Sequence, residues 1–230
     1  MNFSKSFTYM FDDPDWASKY TIGIVISLVP ILNLAWMGYA IGIMRNMASG
    51  MQHPLPAWDN VGEKFKDGLL LAIASFIYTL PLTLLVCVVS VIPAILSGNG
   101  NSSDMVDSLA AAGMMVVMCC GLVYLLVFSF FYPAMMLHYS RQGNFGALFQ
   151  INEIIRLATR NISDYLMGWL AGLVAAIVLS VVAVIPCIGQ LVAMVAGAAW
   201  INTVTAHAYG QVGLKLGPPP VEGSFTSPAY

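Results

Sequence analysis

Long apolar runs separated by short polar segments extend through most of this chain. Four of them predict helices over Leu69–Leu96, Leu109–His138, Asp164–Ile185 and Gln190–Tyr209. A helix of about 20 apolar residues crosses the roughly 30 Å hydrocarbon layer of a bilayer. The pattern therefore predicts four helices that span a membrane.

The apolar stretch near the N-terminus can be interpreted in two ways. Tyr20–Met44 is long enough for one kinked span, with the break at Pro30–Asn33. Alternatively, Asp15–Val29 and Asn33–Ser49 are two short arms of a helical hairpin. The second break at Pro186–Gly189 resembles the first and must be a tight turn, because it joins two spans. This similarity favours the hairpin and a bundle of about six passes.

The positions of the basic residues support the same topology. Six passes place all nine on the cytoplasmic side with both termini, whereas one N-terminal span moves Lys5 and Lys19 outside. The polar loop Ser97–Ser108, which carries only acidic charges, is then external. The nine are Lys5, Lys19, Arg45, Lys64, Lys66, Arg141, Arg156, Arg160 and Lys215.

Composition confirms the class of protein that the pattern indicates. Hydrophobic residues make up 59% of the 230 residues and charged residues 9%, whereas soluble domains carry about 25% charged residues. The net charge of −2 gives no reason to expect nucleic acid. We predict an all-α polytopic transmembrane bundle with two Pro-broken hairpins, formed by a single domain over 1–212 and a flexible tail over 213–230. The four cysteines are predicted to be buried apolar residues.

Three segments have apolar positions at helical spacing beside polar ones, and they predict short amphipathic helices at the membrane interface. They are the N-terminal stripe Phe3, Phe7, Met10 and Phe11, the segment Trp58–Asp67, and the segment Phe145–Arg160. The two later segments connect spans on the cytoplasmic side.

Candidate chemistry within the apolar runs is sparse. Asn202, Thr203 and His207 form a possible intramembrane polar cluster on the last span, either as a ligand site or as helix-to-helix hydrogen bonds. Asp59, Glu63 and Asp67 recur every four residues, which is typical of a solvated charged face, and Asp67-Gly68 marks a turn into the next span. No spacing of catalytic, cofactor-binding or metal-binding residues is present, and none of these roles is predicted.

Small residues four apart occur in two predicted helices. Gly38 and Gly42 form one pair, and Gly168 and Gly172 form the other. Such pairs let helix backbones approach closely, either within the bundle or against a partner.

The stretch from Gly50 to Gly68 carries the most distinctive residues of the chain. Leu-Pro-Ala-Trp-Asp over 55–59, followed by Phe-Lys-Asp-Gly over 65–68, resembles a family of prokaryotic membrane proteins known as the domain of unknown function number four-zero-one-three. The resemblance covers about residues 1–212 and implies a multi-helix protein of a prokaryotic cytoplasmic membrane. It implies no activity. Its further support comes from the segments 13–16, 30–33, 38–39, 161–166 and 186–189 and from Arg45 and Gly50.

These observations predict an integral membrane protein that is not an enzyme. We expect an accessory or scaffold component of a membrane assembly, surrounded by lipids and bound to other subunits or to copies of itself. The possible interface residues are Trp58, Asp59, Asp67 and Gly68 with the glycines Gly38, Gly42, Gly168 and Gly172. The alternative function is a small-molecule transporter or a lipid-binding protein, because broken helices line transport sites.

Overall fold

The computed structural model describes residues 1–96 and 104–217, and helices are the regular structure throughout that part of the chain. The helices are α1 (Lys5–Thr8), α2 (Trp16–Ser27), α3 (Leu34–Ala48), α4 (Val61–Leu96), α5 (Asp104–Gln142), α6 (Ile151–Arg160), α7 (Ile162–Ala183), α8 (Ile188–Val192) and α9 (Ala198–Lys215). Short 3-10 segments cover Tyr9–Asp12, Pro30–Asn33 and Phe145–Phe149, and a π-helical turn covers Ala193–Gly197.

Helix α3 lies at the centre of the fold. Its side chains are buried on every face, and Trp36, Tyr39 and Met44 are at most 1% exposed. Helices α4, α9 and α5 cover most of α3, while α2 packs on it through the Pro30–Asn33 turn. A helix that is apolar all round must be buried on all sides, and α3 meets that condition inside the protein rather than in lipid.

Helices α4 and α5 form a long antiparallel pair that extends well beyond the other helices. At 1.5 Å per residue α4 is about 54 Å long and α5 about 58 Å. Their proximal parts, which include Leu71 and Leu137, are buried in the core. Their distal parts touch mainly each other, at Gly121 against Leu82 and at Gly113 against Val89. We call residues 76–96 and 104–127 the α4–α5 arm.

Within the described residues, three helices are long and apolar enough to cross a membrane, over Val61–Val91, Ser108–Gln142 and Ile162–Ala183. Helices α2 and α3 are about 18 and 22 Å long, which is less than the hydrocarbon thickness. The predicted last span is divided into α8, a π-helical turn and α9.

Several predicted boundaries change in the structure. Trp58–Asp67 is not a separate interfacial helix, because α4 begins at Val61 and runs without interruption into the apolar part. Asp67 and Gly68 therefore lie inside a helix and do not form a turn. The Phe145–Arg160 segment is divided at Gln150 into a 3-10 segment and α6. Asn144 caps the start of the 3-10 segment, because its side-chain oxygen accepts a hydrogen bond from the Ala147 amide (2.8 Å).

The two ends of the predicted domain also differ from the expectation. In the N-terminal stripe, Phe3 and Phe7 pack against α7 and α9 and Met10 is buried, so these three side chains contact protein, whereas Phe11 is exposed. Helix α9 continues to Lys215, past the predicted start of the tail at 213. Residues 218–230 of that tail, and the loop residues 97–103, lie outside the described residues.

The cysteine prediction was wrong about burial. Cys87, Cys119, Cys120 and Cys187 are all free and exposed on the surface of the chain. Three of them lie on the α4–α5 arm, whose distal parts contact mainly each other. An apolar neighbourhood in the sequence does not distinguish contact with protein from contact with lipid.

Candidate functional site

A buried carboxylate joins three helices at one end of the bundle. Asp67 of α4 accepts a charged hydrogen bond from Arg45 Nη1 of α3 (2.6 Å) and another from the Tyr139 hydroxyl of α5 (2.6 Å). Asp67 is 6% exposed. Arg45 also reaches the Ser140 carbonyl through Nε (3.4 Å) and lies 5.8 Å from the centre of the Tyr139 ring. We call Arg45, Asp67 and Tyr139 the Asp67 cluster.

Two glycines make the Asp67 cluster possible by letting α3 and α4 touch. A Cβ on Gly38 would lie 1.8 Å from the Lys64 carbonyl oxygen, and a Cβ on Gly68 would lie 1.8 Å from that of Leu34. A side chain at either position would push the helices apart. Gly42, the second member of the predicted pair, faces Pro56 of the connector. These glycines therefore pack helices and connector within the chain.

The connector between α3 and α4 is held by an aromatic cluster. Trp58 stacks on Tyr39 with ring centres 4.7 Å apart and meets Trp36 edge-on. Its indole N–H donates to the Lys19 carbonyl of α2 (2.7 Å), and the side chain is 8% exposed. A partner could not reach Trp58 without displacing α2. Asp59, in contrast, is exposed and 3.9 Å from Lys64.

The predicted charged face is divided by the fold. Asp59 and Glu63 are exposed, whereas Asp67 is buried in the Asp67 cluster. Sequence spacing placed the three carboxylates on one helix face, but Asp59 precedes α4 and only Asp67 reaches the covered part. The prediction of a solvated face was wrong for Asp67.

A second buried ion pair ties α2 to the connector. Lys19 Nζ donates to Asp13 (2.7 Å) and to the Leu55 carbonyl (2.9 Å), and Asp13 is 2% exposed. Burial by itself would raise the pKa of Asp13. The hydrogen bonds from Lys19 and from the Asp15 amide, with the positive charges of Lys19 and His53, outweigh burial and hold this pKa below its ordinary value of 3.8.

The polar residues of the last helix engage the N-terminal segment. Thr203 shares a hydrogen bond with the Tyr20 hydroxyl (2.6 Å), and its carbonyl accepts from Tyr9 (3.2 Å). His207 stacks on Tyr9, with ring centres 3.9 Å apart, and its Nδ1 contacts Ser6 (3.3 Å). Both side chains therefore bond between helices, which is the second of the two roles considered for them.

Asn202 lies on another face of α9 and lines a cavity of about 360 Å³ between α5, α7 and α9. Gly168 and Gly172 of α7 line the same cavity, so three of the predicted residues meet at one place. The lining also includes Thr205, which belongs to the polar positions that the sequence shows on this helix, and Tyr209, whose hydroxyl within an apolar helix is the signal that could have identified it. We call this the α5–α7–α9 cavity.

Two further cavities flank α6. One, of about 270 Å³, lies between the α4–α5 pair and the isoleucines of α6, and its lining is almost wholly apolar. The other, of about 110 Å³, is lined by Arg141, Arg156 and Arg160 with Glu153, which pairs with Arg156 (2.5 Å). Helix α6 thus separates an apolar surface from a basic one, as expected of a helix at a membrane interface.

The geometry defines an all-helical protein with long apolar helices suited to a membrane, built on a buried core of short helices. The chain belongs to the family described as "Protein of unknown function (DUF4013)", whose model matches residues 22–188. The family that the sequence indicated is thereby confirmed, over a shorter range than the 1–212 expected from the resemblance. The matched region begins within α2, contains α3 to α7 and ends at the first residue of α8. No curated protein and no solved structure matches the chain.

Proposed function

We propose that this protein is a non-enzymatic accessory or scaffold component of a membrane assembly. The α4–α5 arm supports the proposal. It carries large apolar side chains on its outer surface, such as Met115 (70% exposed), Met118 (66%) and Val123 (63%). Much of the polar chemistry near the core is used inside the chain, in the Asp67 cluster and the Asp13–Lys19 pair.

The arm suits a protein partner because its distal part is a two-helix unit whose outer side chains are exposed. Helices in membranes associate through packing and small residues, and a pair of helices leaves most of its surface available. We propose that helices of another subunit, or of a second copy of this chain, pack against it.

We further propose that the chain crosses the membrane four times rather than six. The first turns of α4 carry Glu63, Lys64, Lys66 and Asp67, so the hydrocarbon begins near Gly68. The close approach of Gly68 to Leu34 puts the start of α3, and the turn before it, at this level. The α2–α3 hairpin then enters the membrane only at its tip, where Leu28 and Ile31 are 66% and 69% exposed.

This topology keeps the sidedness that the basic residues favour. A hairpin that enters and leaves on one side contributes no crossing, so both termini and all nine basic residues stay cytoplasmic. The crossings are α4, α5, α7 and the α8–α9 segment. We propose a prokaryotic cytoplasmic membrane as the location, which rests on the resemblance described above.

Site-specific photocrosslinking tests the scaffold proposal. A photoreactive amino acid is placed on the arm at Met118 or Leu122, and at Val181 of α7 as a matched lipid-facing control (66% exposed). We expect protein adducts of one discrete mass from the arm positions and lipid adducts alone from Val181. The mass distinguishes a second copy from another subunit. Lipid adducts alone at all three positions would refute the proposal.

A transporter or lipid-binding protein is the second candidate function. The observation that favours it is the α5–α7–α9 cavity beside Asn202, which gives the predicted polar cluster an opening of ligand size. Transport would further require that the cavity open to both sides in turn.

A further inference from the structure

We propose that the α5–α7–α9 cavity binds the ester region of a membrane glycerolipid. Its walls come from two helices that can cross a membrane, α5 and α7, and from α9. Its volume of about 360 Å³ lies within the range of small-molecule sites. The proposal is independent of the scaffold function, because a lipid site does not depend on a protein partner; it rests on the second candidate function and names the part of the lipid that the cavity binds.

Three polar side chains of this cavity, Asn202, Thr205 and Tyr209, have no hydrogen-bond partner within the described residues, and the Tyr209 hydroxyl is buried. Within the part of the chain that the structure describes, neither the Asn202 amide nor the Thr205 hydroxyl makes a hydrogen bond. Their neighbours Thr203 and His207 on the same helix are both bonded. An unpaired amide in apolar surroundings is costly, so a ligand that supplies an acceptor or a hydroxyl there is stabilised.

The charge of the lining selects a neutral group. None of the side chains that line the cavity is ionisable at neutral pH, and most are aromatic or aliphatic, among them Phe128, Trp169 and Leu173. A carboxylate or an ammonium would have to lose its hydration without a counter-charge. An ester carbonyl or a glycerol hydroxyl carries no net charge and therefore needs no counter-charge in the cavity.

The depth of the cavity matches the ester level of a lipid leaflet. In the antiparallel α4–α5 pair, Gly121 faces Leu82 and Tyr139 bonds to Asp67, so Met136 lies close to the level of Asp67. Phe128, at the other end of the cavity, lies about two turns deeper. The cavity therefore starts where the charged residues of α4 end and continues into the apolar layer.

Glycines create the space. A Cβ on Gly172 would lie 3.3 Å from the Thr205 hydroxyl, and one on Gly168 would lie 3.2 Å from the Tyr209 ring. Larger side chains at these two positions would occupy the cavity next to its polar groups. This pair of small residues has an opening beside it, whereas Gly38 lies directly against the backbone of α4.

The inference is tested by photolabelling of the purified, monodisperse protein. The probe is a neutral monoacylglycerol that carries a diazirine beside its ester. Adducts are mapped by mass spectrometry. We expect labelling on α7 and α9 near Trp169 and Asn202. Asn202→Leu should reduce it about fivefold, the effect of losing one hydrogen bond, and Gly172→Leu should abolish it. Val127→Phe, in the apolar cavity beside α6, should leave it unchanged.

A competition experiment distinguishes a site that binds a polar group from one that binds hydrocarbon chains alone. Unlabelled monoacylglycerol should displace the probe, whereas hexadecane, which lacks a polar group, should not. Equal competition by hexadecane, unchanged labelling in Asn202→Leu, or labelling confined to the α6 cavity would each overturn the proposal. Because no partner protein is present in the purified sample, failure of the lipid site is distinguishable from failure of the scaffold proposal. Asn202→Leu tests the lipid site even if Gly172→Leu does not fold.

Discussion

Asp67 shows how one residue connects three helices of this protein. Its two carboxylate oxygens are used by different partners, Arg45 on α3 and Tyr139 on α5. Buried carboxylates need such partners, because an unpaired charge away from water is strongly destabilising. The Asp67 cluster therefore holds α3, α4 and α5 together at the end where the charged residues lie.

Replacement of Asp67 with Ala should lower the free energy of unfolding by about 1–3 kcal/mol, because it leaves Arg45 and the Tyr139 hydroxyl without their acceptor. Chemical or thermal unfolding in detergent micelles measures this. Glu63→Ala is the matched control, since Glu63 is exposed and 4.0 Å from the same arginine. We expect less than about 0.5 kcal/mol there, and equal effects would contradict the role given to Asp67.

The Asp13–Lys19 pair couples the stability of the N-terminal region to pH. A carboxyl group whose folded pKa is lowered contributes stability above its unfolded pKa, and that stability is lost as the pH falls through the folded pKa. Wild type should therefore be more stable than Asp13→Asn between pH 5 and 7. The difference should shrink below about pH 4.

Melting temperatures of both proteins across this range test the prediction. In a Lys19→Met background, which removes the main favourable partner, the pH-dependent difference should largely disappear. A difference that stays constant down to pH 2 would show that the ionised pair contributes nothing.

At the scale of elements, the crossing of α3 and α4 organises the core. Gly38 and Gly68 bring the two backbones into contact, and this contact brings Arg45 within reach of Asp67. The same spacing on α7 serves a different purpose, because Gly168 and Gly172 border the α5–α7–α9 cavity. Small residues four apart thus predict that two helix backbones approach closely. Whether a cavity remains beside them depends on how a further helix packs, as α5 does next to α7 and α9.

Two glycines of α4 provide a matched test. Gly68→Ala should destabilise the protein by about 1–3 kcal/mol, the usual cost of overpacking, since its Cβ would meet the Leu34 carbonyl. Gly62→Ala, on the same helix with no atom within 4 Å, should be neutral or stabilising by up to about 1 kcal/mol. Unfolding curves measured side by side give both values, and similar values would argue against the close approach.

At the scale of the whole molecule, the arm and the core have different surroundings. The core buries most of α3, whereas the arm leaves long apolar helices exposed. The level of the α2–α3 tip relative to Gly68 decides how many times the chain crosses the membrane. Four crossings and six crossings keep the same sidedness, so the positive-inside rule cannot distinguish them.

Labelling of single cysteines distinguishes the two topologies. In a variant without the four native cysteines, a cysteine is introduced at position 11, 31 or 100 and treated with an impermeant maleimide from the outer face. Phe11 is chosen because it is exposed, unlike Met10. We expect labelling at 100 and none at 11 or 31. Labelling at 31 from outside would establish six crossings and refute the shallow hairpin.

Much of the fold could be predicted from the sequence. Long apolar runs predict long helices wherever they occur, because backbone groups in an apolar environment must bond within the helix. The resemblance carried by residues 55–59 and 65–68 identified the family. In the candidate site, Gly168, Gly172 and Asn202 were predicted as separate features, and contact between α7 and α9 brought them together.

The sequence by itself determined the helical class and the approximate limits of the long helices, since these depend on local composition and periodicity. Only the tertiary structure decided that Asp67 and Trp58 are buried, that the cysteines are exposed and that a cavity opens beside Asn202. Those properties depend on which helix covers which face. The sequence does not show this, because the same apolar residues occur on helix faces that contact protein and on faces that contact lipid.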